Sequence, residues 1–347
     1  MPPRPTSASQ QKPSRRPLDA LLPGRRVLVL GSNGFLGCHG AVLAARHGAL
    51  VAGIDLVGTE GRGERLRRSL GGTLSEAITW APEQLEAEMG AWMAQWRPDI
   101  VLLTSGATSR SDRPTDWITS IRGNVSPPAA ILAAVAALER DARPVLVVPG
   151  SQLEYGRIPS PWTERDKAQP ANIYGVSKLM ATELLLAAVR RELVKGCVLR
   201  LPLVFGPGQG PVMLVPEIIV KGLGGIPIPM SSGVQRRRFA CVDDVAGMML
   251  ATGCRLAEGE SLPALLNASA SPPIPIAEMA RLVAGCLESR PEIQIGRLPH
   301  RVDEDLDAWP NSDLADSLDL YPVSDLMTAV RRTVDWYREN RWFLASV

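Results

Sequence analysis

Tyr174 and Lys178 stand four residues apart in Tyr-Gly-Val-Ser-Lys, at the opening of a stretch with helical patterning. Residues i and i+4 share one helix face. An ammonium beside a phenol favours phenolate by Coulomb attraction, so the pair is expected to draw the Tyr174 pKa toward neutrality. Such a phenol can pass a proton to or from a hydroxyl or carbonyl. A Tyr and a Lys on a solvated helix face would have the same spacing. Upstream, the apolar run Pro144–Val148 ends at Pro149-Gly150-Ser151. Ligands of open α/β sheets lie beyond the carboxyl ends of strands. That puts Ser151 within reach of the same oxygen; a Ser capping a turn is the alternative.

Moving a proton at a carbinol is useful only if hydride can leave too, and a second motif provides for that. The apolar run Arg26–Leu30 leads into Gly31-Ser32-Asn33-Gly34-Phe35-Leu36-Gly37. Gly31 permits a tight turn, Gly34 lets backbone approach a pyrophosphate, and Gly37 lets the next helix pack against the strand. That helix offers free N–H groups and a positive dipole end to phosphates. A second apolar run, Leu50–Leu56, carries Asp55. Its carboxylate is placed to accept hydrogen bonds from adenosine ribose hydroxyls and to repel a 2′-phosphate, which favours NAD(H) over NADP(H). A glycine-rich turn with a surface Asp would read the same way, were the flanking strands absent.

The elements that must position these groups follow an alternating pattern. Strands are predicted at Arg26–Leu30, Leu50–Leu56, Ile100–Thr104, Pro144–Val148 and Cys197–Pro202. Helices are predicted at 37–48, Glu83–Trp96, Pro127–Leu138 and Ile173–Leu193. Such alternation specifies an α/β fold, a doubly wound parallel Rossmann sheet over residues 25–202. Beyond Leu203 Pro and Gly become frequent, and residues 203–347 read as a smaller C-terminal substrate lobe with helices at Ile276–Ser289 and Ser324–Asn340. Segments near 239–254, including a strand at Phe239–Val242, are expected to return to the first domain. Residues 1–24, rich in Pro, Ser, Gln and Arg, read as a disordered tail.

Composition excludes several classes. Of 347 residues, 38 are Lys or Arg and 36 are Asp or Glu, a net charge of +2. That argues against bulk binding of nucleic acid or anionic membrane. No apolar run approaches the roughly 18 residues of a spanning helix. The five cysteines have wide spacings with no CxxC pair and only three His are present. Neither a disulfide framework nor a metal centre is expected, and a reducing, cytoplasmic setting is.

Taken together, Gly31-x-x-Gly34-x-x-Gly37, Asp55, Ser151, Glu154-Tyr155-Gly156 and Tyr174-x-x-x-Lys178 resemble the extended short-chain dehydrogenase/reductase family, of the NAD-dependent epimerase/dehydratase type. Asn124-Val125, the stretch Arg200 to Gly208, Arg237-Arg238-Phe239, Val242 to Ala246 and Thr333 to Asn340 agree with it, so the resemblance spans about residues 25 to 341. It implies a proton-transferring Tyr174, a Lys178 that holds the nicotinamide ribose, and a Ser151 that binds the reacting oxygen. It implies contacts with NAD from Gly31, Asn33, Gly34, Phe35, Leu36, Gly37, Asp55, Ser105, Tyr174, Lys178 and Pro202. Substrate, a nucleotide sugar, would meet Ser151, Gln152, Asn124 and Arg237, the last through a phosphate. A homodimer built on two helices is also implied, for which Ala129–Ala137 and Leu179–Val189 are candidates.

The sequence departs from the family at informative places. Gln152 and Leu153 stand where dehydratases carry an Asp-Glu pair, and Leu153 also replaces the Glu of the decarboxylases. Leu203 replaces a common Asn, Ser105-Gly106 an Ala-Ala near nicotinamide, and Pro127-Pro128 a Gly-Thr. Thr79 to Pro82 offers no adenine-contacting Asp. The expectation is therefore a nucleotide-sugar epimerase. The alternatives are a reductase of 4-keto-6-deoxy sugar nucleotides, which Ser151-x-x-Glu154-Tyr155-Gly156 resembles, and a non-catalytic NAD-binding scaffold.

Overall fold

The computed structural model describes residues 16–56, 62–107, 113–300 and 305–344. Its centre is a parallel sheet of seven strands. Six are β1 (Arg26–Leu30), β2 (Leu50–Leu56), β3 (Glu76–Trp80), β4 (Ile100–Leu103), β5 (Val145–Ser151) and β6 (Lys195–Leu201), and the seventh is Leu265–Asn267. The spatial order is β3-β2-β1-β4-β5-β6 with Leu265–Asn267 beyond β6. Strand order reverses between β1 and β4, and a crevice opens at the carboxyl ends of strands at such a point.

Continuous apolar runs make these strands because both faces are covered. Val27 and Val29 of β1 join one core with Ile100, Leu102, Val145 and Val147, while Leu28 and Leu30 join the opposite core with Val101, Leu103, Leu146 and Val148. The first core is roofed by helix Phe35–Arg46 and helix Val242–Ala257, which pack on each other. The second is roofed by helices Pro82–Trp96, Ser126–Ala137 and Ile173–Arg190. Pro127 and Pro128 are buried in the first turn of Ser126–Ala137, where missing N–H groups remove nothing from the helix ladder.

A third core forms the C-terminal lobe from helices Leu214–Leu223, Ile276–Gly285 and Leu326–Glu339. It also takes in Cys38, Val42 and Leu66 of the first lobe, so the two lobes share apolar packing.

Three expectations change. Residues 16–24 are part of the fold: Leu21 and Leu22 are buried in the first core, and Arg16 pairs with Glu258. Residues 1–15 of the predicted tail lie outside the described residues. The strand near 239 is Phe239–Cys241, and it pairs with Leu203–Phe205 in a separate small ladder rather than with the main sheet. What returns to the first domain is helix Val242–Ala257 and then strand Leu265–Asn267, a longer segment than expected.

Candidate active site

The dinucleotide loop is shaped by what its glycines touch. Gly31, with φ +88°, closes β1 against the loop after β4; a Cβ there would lie 2.6 Å from the Ser105 backbone N. A Cβ on Gly37 would lie 2.1 Å from the Gly31 carbonyl oxygen. Gly34 is exposed and caps helix Phe35–Arg46, so that the first N–H groups, from Phe35 and Leu36, sit at a helix N-terminus open to an anion. Asp55, at the end of β2, is buried. It accepts the Ser32 hydroxyl and, at 2.7 Å, the Asn33 N–H. The Arg67 guanidinium donates to the Asn33 side chain and, at 3.2 Å, to the Ser32 carbonyl. Asp55, Arg67, Arg68, Thr73, Leu74 and Thr79 line a cleft of about 460 Å³ beside the loop. A cradle of this kind, with glycines where any Cβ would collide and a carboxylate at the end of β2, fits a dinucleotide.

Ser151 ends β5, buried, and the three-residue turn Gln152–Glu154 follows. Helix Ile173–Arg190 starts at Asn172, whose side chain accepts the Gly175 N–H at 2.8 Å. Its first turn places Tyr174 close enough to Ser151 for the serine hydroxyl to act on the phenol. Lys178, one turn on, is buried on the same helix. The three predicted catalytic residues therefore gather at the carboxyl end of β5.

The expected drop in the Tyr174 pKa does not occur. Burial pushes the phenol up to about 12, the Glu154 carboxylate adds to the rise, and the Ser151 hydrogen bond opposes it. Burial also lowers the Lys178 pKa, against the pull of Glu154. Desolvation outweighs the pairing that the spacing alone pointed to.

Several expected contacts take other partners. Asn124 spends its amide within the protein: its Oδ1 accepts the Ala107 N–H at 2.9 Å, and its Nδ2 donates to Ala107 O at 3.0 Å and Ser177 Oγ at 2.9 Å. It ties the loop after β4 to the Tyr174 helix instead of facing a ligand. Arg237 donates to the carbonyl oxygens of Arg236, Leu306 and Asp305, and so braces the segment beside it. Gln152 is buried beside Ser151 with its Oε1 unpartnered among the described residues, as is the Ser105 hydroxyl. Pro202 is buried just after β6. Leu203, in the place of an Asn, packs against the core of the C-terminal lobe.

Sequence reasoning passed over four residues. Glu154 and Arg200 form a buried ion pair behind Ser151, 2.8 Å between Nε and Oε2. Arg67 braces the glycine loop. His39, buried one turn into helix Phe35–Arg46, hydrogen-bonds the Asp243 carboxylate through Nδ1 and Pro207 O, at 2.8 Å, through Nε2, which links the loop helix to the C-terminal lobe. Glu154 carried a sequence signal in the Glu-Tyr-Gly triplet; the other three have none short of tertiary structure.

Comparison with known proteins agrees with this geometry. The family described as "NAD dependent epimerase/dehydratase family" matches residues 27–261. A dTDP-6-deoxy-L-talose 4-dehydrogenase (NAD(P)(+)) from Kitasatospora kifunensis is 33% identical over 187 residues, 53% of this chain and 54% of that protein. The match thus spans about half of that relative's length. Among solved structures, a UDP-N-acetylglucosamine 4-epimerase from Methanobrevibacter ruminantium, in complex with UDP-N-acetylmuramic acid, superposes with a TM-score of 0.78 at 19% identity, covering 91% of this chain and 99% of that one. A UDP-glucose 4-epimerase from Thermus thermophilus, in complex with NAD, gives 0.73 at 21%, with 91% and 99% covered. At these identities the structural likeness is one of fold. Among the described residues no helix is long and apolar enough to cross a membrane, and no cluster of candidate metal ligands occurs.

Proposed function

The chain belongs to the NAD dependent epimerase/dehydratase family, its cofactor is NAD, and from that premise we propose that it epimerises a nucleotide sugar. NAD, when bound in the glycine-loop cleft, would supply reversible hydride transfer at a carbinol carbon. The chain's own part is proton handling and orientation. Ser151 would donate a hydrogen bond to the substrate oxygen, and Tyr174, in its phenolate form, would accept the hydroxyl proton as the carbonyl forms and give it back when the carbinol is restored. Hydride returned to the opposite face of the carbonyl would invert the centre, with electrons and protons balanced without an outside reductant. Lys178 orients the ribose next to the reacting ring. The observation that carries this reading is the placement of buried Ser151 at the end of β5 beside the first turn of helix Ile173–Arg190, which carries Tyr174 and, one turn beyond, buried Lys178. Asp55 supports NAD held and recycled within one site.

Gln152 and Leu153 leave no acid/base pair for loss of water, which disfavours dehydration by that route. A second reading, reduction of a 4-keto-6-deoxy sugar nucleotide, is favoured by the 33% identical 4-dehydrogenase. The two separate in one assay with purified protein and a panel of UDP-, GDP-, dTDP- and CDP-sugars. An epimerase interconverts its substrate without added reductant. Consumption of NADH in step with product would replace this proposal by the second reading.

A cytoplasmic homodimer completes the proposal. Large apolar side chains stand exposed on two adjacent helices, Trp117, Ile118 and Ile121 on Pro114–Asn124 and Met180 and Leu184 on Ile173–Arg190. Such a surface is what a stable interface covers. Helix Ser126–Ala137, the other candidate, buries Ile131 and Val135, and its exposed residues are Ser126 and three alanines. Sedimentation of the protein and of Ile118→Glu tests this: dimer for the first, monomer for the second.

A further inference from the structure

Directly behind Ser151 lies the one charged side chain with no exposure among the described residues, Glu154. Its Oε1 accepts the Ser151 backbone N–H at 2.7 Å. Its Oε2 accepts Thr182 Oγ1 at 3.0 Å and Arg200 Nε at 2.8 Å. In the same turn the Leu153 N–H donates to Ser151 Oγ at 3.2 Å. Ser151 is thus held at both its backbone and its side chain, and its hydroxyl hydrogen stays free to point toward the Tyr174 oxygen.

A neutral side chain could cap this turn. A carboxylate here demands a cation in a buried place, where an apolar pair of the same volume is often as stable. The cation is Arg200, whose guanidinium lies over the Tyr155 ring at 4.4 Å and whose Nη1 has no hydrogen-bond partner among the described residues. The ion pair therefore satisfies Glu154 but leaves the guanidinium partly unsatisfied, and packing alone does not account for the charge. Other elements facing this spot contribute Lys178 and Tyr174 from helix Ile173–Arg190, Tyr155 from the turn, Glu164 and Asn267. Tyr155 donates to Asn267 Oδ1 at 2.7 Å, and Glu164 accepts the Asn267 N–H at 2.7 Å. Of the charged groups, Glu154 is the anion whose field reaches both Tyr174 and Lys178.

We propose that Glu154, clamped by Arg200, is a positioning residue of the reaction: it fixes Ser151 at the end of β5 and, through Thr182, sets a negative charge against the helix face that carries Tyr174 and Lys178. The charge is therefore a brake on proton loss from Tyr174 and a counter-ion for a buried lysine. This rests on the reading of Tyr174 as the proton carrier.

The test uses the full chain with ring-labelled tyrosine followed by NMR through an alkaline titration. Only four Tyr are present, and Tyr174→Phe assigns the signal. In Glu154→Gln the Tyr174 midpoint falls by about one pH unit or more, the size expected when a nearby like charge is removed. The alkaline-rising limb of the oxidative pH–rate profile moves with it. Thr182→Val, which removes a neutral partner of the same carboxylate, leaves the midpoint in place, and Glu154→Asp restores most of it. Should Glu154→Gln not fold, Glu154→Met, which keeps most of the volume and leaves Arg200 in place, reads the same midpoint. An unmoved midpoint in a folded variant, whatever happens to activity, overturns the proposal. Full activity in Tyr174→Phe would remove the chemical reading instead, and is seen in a separate experiment.

Discussion

Two buried carboxylates stand at the carboxyl end of the sheet, Asp55 closing β2 and Glu154 just past β5, and they are held in different ways. Asp55 is met by a hydroxyl and a backbone N–H, both from the glycine loop. Glu154 is met by a guanidinium as well, from a strand 46 residues away. The first carboxylate shapes a loop that must bind. The second sits beside groups that must exchange a proton, and its charge is set by a matched cation. Binding surface and reactive centre are built at the same sheet edge by different electrostatics.

The contrast can be broken from the Glu154 side most severely. Arg200→Met alone leaves an uncompensated buried carboxylate and is expected to destabilise the protein by about 3–5 kcal/mol, read by denaturant unfolding. The paired change with Glu154→Leu should recover most of that loss. If Arg200→Met unfolds no earlier than the parent, the ion pair has no structural weight.

On the Asp55 side, Gly37→Ala places a methyl against the Gly31 carbonyl. Such overpacking costs about 1–3 kcal/mol. Isothermal titration should show dinucleotide affinity falling with it; affinity equal to the parent would mean that the loop adjusts freely.

A change of similar size is expected from Asp55→Ala. It removes the acceptor for Ser32 and Asn33, and a loss of about 1–3 kcal/mol follows for partners left unpaired. NAD binding should weaken and the preference over NADP shrink, measured by fluorescence titration with each. An unchanged preference would detach Asp55 from ribose recognition.

The gentlest probe is pH. With its pKa raised to about 12, Tyr174 keeps its proton throughout the neutral range. Reduction, which needs the phenol, should be flat from neutral to mildly alkaline pH. Oxidation, which needs phenolate, should climb about tenfold per pH unit. Stability carries the same sign: a raised phenol pKa contributes fully below the ordinary value of about 10 and is lost as pH rises toward about 12. Opposite slopes in the two directions would place the proton elsewhere.

How far sequence reaches also differs between the two regions. The glycine loop and Asp55 are local: strand, turn, helix and next strand follow within thirty residues, and each reports its environment in its own residue types. β1 and β5 are legible because burial on both faces forces unbroken apolar runs. Tyr174, Lys178 and Ser151 are legible as residues, but the direction of the Tyr174 shift is not. It depends on burial and on Glu154, which spacing does not record. Helix Arg62–Ser69 escapes notice because it is nearly all polar and packs mainly through Leu66. Leu21 and Leu22 are hidden in a Pro- and Arg-rich stretch, and only the fold reveals that they fill a core.

The central claim is that Tyr174 carries the proton for chemistry at a carbinol or ketone. The direct measurement compares Tyr174→Phe with the parent in sugar-nucleotide conversion, alongside dinucleotide titration to confirm that the cofactor still binds. The account predicts conversion lowered by about 10²–10⁴-fold with binding retained. Conversion at the parent's rate in a variant that binds the dinucleotide normally would contradict it.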